Sequence, residues 1–146
     1  MKAAAAIAGL VLAPLLGGCG FDVMYADWKV DRLCKVDGGI KVFMKAAAPK
    51  ELKRADGAID LLKLQRAKSD QPFYLVIDSH SIEPKDPSIV RLEHRLFRKQ
   101  DSLLLGTAVV YIRPQQHQGI PFLHRDGHSC PSEDVLSQLV DSVFAK

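Results

Sequence analysis

No stretch of this chain is apolar for the roughly twenty residues that a membrane-spanning helix requires. The run from Ala3 to Gly18 has only sixteen residues, contains Pro14 and closes on Gly17-Gly18. Neither proline nor paired glycine favours a continuous helix. The chain also lacks a Gly-x-Ser-x-Gly elbow and a phosphate-cradling glycine loop, so it carries no local signature of an α/β-hydrolase or a P-loop enzyme. It has no internal repeat and no low-complexity tract. Its charge is nearly balanced, with 20 Lys and Arg against 17 Asp and Glu, and the two signs are interspersed. A nucleic-acid binder concentrates its basic residues in a stripe or cluster, so no nucleic-acid partner is expected. Cysteine is scarce, at three in 146 residues.

The N-terminus is informative. Lys2 supplies a short positive start, Ala3 to Leu16 an apolar run, and Gly17-Gly18 a small, open backbone immediately before Cys19. A charged n-region, an apolar h-region and a small-residue cleavage site make a secretory signal peptide. The cysteine directly after the small residues resembles the lipobox of bacterial lipoproteins. That resemblance implies cleavage after residue 18, diacylation of the Cys19 sulfur and acylation of the new N-terminus. Acyl burial is worth about 0.8 kcal/mol per methylene, and two or more chains anchor stably. Three chains would therefore hold the protein on a membrane essentially permanently. Gly20 stands where the same families carry Asp for inner-membrane retention, which implies an outer-membrane anchor with the domain facing the periplasm. The tether after Cys19 is short, so the globular part is expected close to the lipid.

Removing residues 1–18 leaves 128 residues of formal charge +2, the size of one ordinary domain. An ordinary solvated surface is the plainer reading of that charge, and attraction to anionic headgroups its alternative. With Cys19 assigned to acylation, Cys34 and Cys130 remain. An even pair in an exported, oxidising compartment reads as a disulfide. Two buried free thiols, or a share in a metal site, are the competing readings.

Along the mature chain, residues 19–33 read as anchor and lead segment, and residues 34–146 as a single globular domain. Asp37-Gly38-Gly39 is a turn signal. Ile40, Val42 and Met44 alternate with Lys41, Phe43 and Lys45, which suggests a short strand. From Pro49 to Ser69 the helical spacing is only partial, and a loop with one short helix competes. Three stronger strands follow at Phe73–Ile82, Ile89–Arg98 and Leu103–Arg113, the last bent or bulged at Gly106. In the middle one Val90, Leu92 and Leu96 share a face with His94, and Arg91, Glu93 and Arg95 take the other. Lys99 to Ser102 suits a hairpin turn. Residues Pro114 to Pro131 read as loop. A C-terminal helix capped by Ser132 presents Val135, Leu136, Leu139, Val140 and Val143 as an apolar stripe. The expected fold is α+β: a small antiparallel β-meander with a C-terminal helix packed on one face, and one disulfide.

Several segments resemble a family of uncharacterised bacterial lipoproteins. They are Cys34-Lys-Val-Asp-Gly-Gly-Ile-Lys-Val-Phe43, Ile89 to Arg98, Leu104-Leu-Gly106 with Val110-Tyr111, and His128-Ser-Cys-Pro131. In that family a Cys-x-x-Asp-Gly-Gly segment opens the domain and a Cys-Pro segment precedes the terminal helix. Residues 45–72 and 114–125 match poorly. The resemblance implies a Cys34–Cys130 pairing and lipid attachment at Cys19, and it implies no activity.

Candidate chemistry is thin. His117, His124 and His128 lie near Cys130, and zinc sites use these residue types. Their loop setting guarantees no shared face, however, and surface histidines are the plainer reading. His94 reads as a hydrogen-bonded core residue. Asp78-Ser79-His80-Ser81 offers the residue types of a hydrolytic triad, but successive strand residues point to opposite faces. Tyr25 and Trp28 either sit at headgroup level or, more plainly, Trp28 packs into the domain. The expectation is a lipid-anchored, non-catalytic envelope protein with no cofactor and no metal, binding an envelope partner, with strand addition one route to it. The alternative is a small-ligand or metal-binding module using the 114–128 loop.

Overall fold

The computed structural model describes residues 21–65, 71–85, 87–117, 124–131 and 134–144. The signal segment 1–18, Cys19 and the expected cap Ser132 lie outside the described residues. The first element among the described residues is a helix, α1, at Phe21–Asp37, where the sequence reading expected only a lead. Between residues 21 and 37 no glycine or proline interrupts the chain. Asp22 in the first turn and Lys35 in the last complement the helix dipole. Val23, Ala26, Val30 and Cys34 recur at helical spacing and are buried. The boundary expected between residues 33 and 34 therefore falls inside one continuous element. Gly38 closes it by donating to the Cys34 carbonyl at 2.8 Å, and Gly39 turns the chain at φ 97°, a conformation glycine adopts without steric cost.

Strand β1, Gly39–Val42, follows. It is shorter than its alternation suggests: the Phe43 and Met44 amides both donate to the one Leu105 carbonyl of β4, at 2.8 and 3.0 Å, so the regular ladder stops there. The chain then forms a 3₁₀ turn at Lys50–Leu52 and a short helix α2 at Leu61–Gln65. This is the loop-with-short-helix alternative, and it buries Leu52 and Leu64 completely while Leu62 points outward.

The three long strands are β2 at Phe73–Glu83, β3 at Ile89–Arg98 and β4 at Leu103–Arg113. They form an antiparallel meander, with Leu75↔Leu96 and Leu92↔Val110 among the facing pairs. Leu96 faces Gly106 but Phe97 faces Leu104, so Leu105 is an extra residue on β4. The bulge expected at Gly106 thus falls beside it. Among its described residues, the stretch expected to be loop holds three short strands: β5 at Gln116–His117, β6 at His124–Arg125 and β7 at His128–Cys130. β5 pairs with β6 in a separate two-stranded sheet. β3 takes one edge of β4, so β1 and β7 share the other, at Gly106–Val109 and Tyr111–Arg113.

The last helix, α3, is Val135–Val143. Its cap is Asp134, not Ser132: the Asp134 carboxylate accepts from the Ser137 amide at 3.3 Å and the Ser137 hydroxyl at 2.7 Å. All five stripe residues are buried. With Leu52, Leu64, Phe73, Leu96 and Leu105 they form the main core on one face of the sheet. A second core lies on the opposite face, where Ala26, Val30 and Cys34 of α1 meet Ile89, Val109 and Tyr111. The α+β meander with its terminal helix and its disulfide is present, and a second helix covers part of the other face.

Candidate functional site

The Cys34–Cys130 disulfide joins α1 to β7 across 96 positions of sequence. It lies among polar contacts that flank the buried face of α1 on both sides. In the second turn of the helix, Asp27 pairs with Arg113, which is only 3% exposed and also donates to the Asp126 carbonyl at 2.8 Å. Lys29 pairs with Glu83 and, one turn beyond Asp27, Asp31 pairs with His128 Nε2 at 2.8 Å. At the C-terminal end Asp37 accepts from Tyr111 at 2.7 Å and from Arg91 at 3.0 Å. Arg91 also donates to Glu93 at 2.6 Å. Helix α1 is therefore fastened from Asp27 to Asp37, by one covalent bond and by pairs reaching four other elements.

The electrostatics follow this geometry. Burial pushes the Asp37 carboxyl up, but donation from Tyr111 and Arg91 outweighs it, and the group sits below the ordinary carboxylate value. The hydrogen bond to Glu93 is the largest influence on Arg91; burial opposes it and Asp37 adds to it, so the guanidinium is held more firmly protonated than usual. Burial, then the hydrogen bond to Asp37, raises the Tyr111 phenol. These groups form a charge-satisfied seam, with Arg95 and Asp78 paired further along the same face.

The residues singled out in the sequence fall as follows. Cys130 is oxidised and is unavailable as a metal ligand, and His128 is engaged with Asp31. The side chains of His117 and His124 lie outside the described residues. No cluster of three or more metal-ligating side chains occurs among the described residues. On β2, Asp78 lies opposite Glu93 and His80 opposite Arg91, whereas Ser79 lies opposite Leu92. Ser79 and His80 thus belong to opposite faces. His94 lies on the α3 face, and its buried Nδ1 has no hydrogen-bond partner among the described residues. That departs from the hydrogen-bonded core residue expected. Burial lowers its pKa, with Asp134 acting the other way.

Tyr25 and Trp28 do not pack into the domain. They are 60% and 51% exposed and stack on one another with ring centroids 5.7 Å apart. The Arg32 guanidinium lies over the Trp28 ring, 5.3 Å from its centroid. With Lys29, Leu33 and Val36 these residues line a shallow groove of about 250 Å³ on the outside of α1. A second cleft, of about 380 Å³, lies between the 54–62 segment and α3. Sequence reasoning missed the α1 surface because it read the segment as a lead, although Phe21, Met24, Tyr25 and Trp28 repeat at three- and four-residue spacing. For the pairing of Asp27 with Arg113, and of Asp37 with Arg91 and Tyr111, no local signal exists, because the partners are 54 to 86 positions apart.

Comparison with protein-family models, with curated proteins and with solved structures finds no match to this chain.

Proposed function

We propose that this chain is a lipid-anchored protein of the bacterial envelope, acylated at Cys19 and acting as a non-catalytic interaction module on the periplasmic side of the outer membrane. The observation that carries this reading is the fastening of α1. The helix begins at Phe21, two positions beyond Cys19, and a two-residue link spans at most about 7 Å. An acyl anchor there is coupled to a helix fixed to the sheet by a disulfide and by five partner residues. Such an arrangement suits a domain that presents a constant face to a partner, rather than one that swings on a long linker.

β2 is the terminal strand of the main sheet and offers a free edge among the described residues. Pairing there is the route for strand addition by an envelope protein. The test has two parts. Metabolic labelling with palmitate, comparing the native chain with Cys19→Ala, reads the anchor directly; label on the variant, or none on either, sinks the reading. Crosslinking in living cells then reads the partner. One dominant envelope protein, lost with Cys19→Ala, is the expected outcome, and crosslinks that ignore the anchor argue against it.

A further inference from the structure

Helix α1 is apolar on two sides. Val23, Ala26, Val30 and Cys34 face the sheet. On the other side Phe21, Met24, Tyr25, Trp28 and Val36 stand in the open, between 51% and 80% exposed. With about 3.6 residues per turn, all five fall within about 60° of a single line along the helix. Arg32 and Lys35 fall in the same sector, and no Asp or Glu does. The acidic residues Asp22 and Asp31 sit on its flanks, and Lys29 at its margin is taken by Glu83. Burying this stripe is favourable, at about 25 cal/mol per Å² of apolar area, yet no described residue of the chain covers it.

We infer that the outward face of α1 lies in the headgroup layer of a bilayer containing anionic lipid, so that the domain rests on the membrane in one fixed orientation. Two observations select a lipid surface as the occupant. The stripe starts two positions after Cys19, so an anchor at that residue delivers the face to lipid at its first turn. Its composition is interfacial: Tyr and Trp favour the headgroup level, and Arg32 and Lys35 can extend their charges to phosphates while their stems remain in apolar contact. No helix among the described residues is long and apolar enough to cross a membrane. A 17-residue helix, about 25 Å long, with cations among its apolar residues suits the surface of a bilayer and not its interior.

The inference rests on the lipid-anchored reading for what brings the face to a membrane, and the experiment separates the two. Trp28 is the only tryptophan in the chain, so its fluorescence reports this face alone. The full-length acylated protein is reconstituted into vesicles of phosphatidylethanolamine and phosphatidylglycerol. Expected are a blue-shifted emission, protection from acrylamide and quenching by lipids brominated near the headgroups. The Cys19→Ala protein, added to the same vesicles, should bind weakly and reversibly. Arg32→Gln in that background should lower its partition about fivefold, the ratio for removing one basic residue from an anionic surface. If Trp28 of the acylated protein stays open to acrylamide and untouched by brominated lipid, the inference fails while the anchor stands. If palmitate does not label the chain yet Trp28 of the unacylated protein enters lipid, the inference stands and the anchored reading fails. Protection of Trp28 in lipid-free solution that grows with protein concentration would assign the face to a second copy and overturn the proposal.

Discussion

The hydroxyl of Tyr111 donates to Oδ1 of Asp37 across 2.7 Å, joining β4 to the last residue of α1 over 74 positions of sequence. Asp37 accepts there from Arg91 as well, so one carboxylate ties the helix end to two neighbouring strands. Removing one donor leaves the other. Tyr111→Phe is therefore expected to destabilise the domain by about 1–2 kcal/mol, toward the lower end for hydrogen bonds to charged groups because the site is partly solvated. Urea unfolding of the native and variant proteins at neutral pH measures it, and an unchanged midpoint would mean that the bond contributes nothing.

The same carboxylate makes stability acid-sensitive. Its folded-state pKa lies below the ordinary 3.8, so the folded state favours the ionised form. That contribution is fully present above the ordinary value and is lost as pH falls through the lowered one. Asp37→Asn is expected to cost stability at neutral pH, and the gap between native and variant proteins should close as pH falls below about 4. A gap that does not change with pH would contradict the assignment.

His94 acts nearer neutrality. Burial holds its folded-state pKa below the ordinary 6.5, so the folded state favours neutral imidazole. Its contribution is present above that value and is lost as the pH falls through the lowered pKa, while the unfolded chain takes up the proton first. Thermal melts of the native protein should show stability declining as pH drops below about 6.5. In His94→Leu that part of the decline should disappear. Asp134 attracts the imidazolium, so Asp134→Asn should deepen the decline and also weaken the cap of α3.

The disulfide closes a loop of about one hundred residues. The C34S/C130S double variant is expected to lose about 2–5 kcal/mol. Loss of the link between α1 and β7 should appear first at the helix, so amide exchange in residues 23–34 should accelerate more than exchange in β3. Equal acceleration everywhere would show that the bond acts only through the unfolded chain.

Gly106 lies where α3 presses on the sheet. A Cβ there would stand 2.8 Å from Leu139 Cδ1 and 2.9 Å from the Lys41 carbonyl oxygen. The side chain can shift, but the carbonyl belongs to the β1 ladder. Gly106→Ala is therefore expected to destabilise by about 1–3 kcal/mol, read by denaturant unfolding. A neutral outcome would show that β1 moves freely.

Much of the sheet was legible in the sequence by itself. β3 and β4 occupy the ranges their patterns indicate, and β2 runs one residue further. Long β-branched and apolar runs between short polar turns permit few other conformations, and α3 shows its one-sided stripe directly. The pairing of Cys34 with Cys130 was legible too, since assigning Cys19 elsewhere left a single combination. Helix α1 was not. Its apolar residues surround it on both sides, so no one-sided stripe marks the element. Whether Trp28 faces the core or the outside depends on where the sheet lies, which residues 21–37 do not encode. Asp27, Asp31 and Asp37 look like ordinary surface charges until Arg113, His128 and Tyr111 arrive from the far end of the chain. Periodicity along a segment records how its side chains alternate, whereas which face is covered, and by what, is decided by the free energy of packing segments that are distant in sequence.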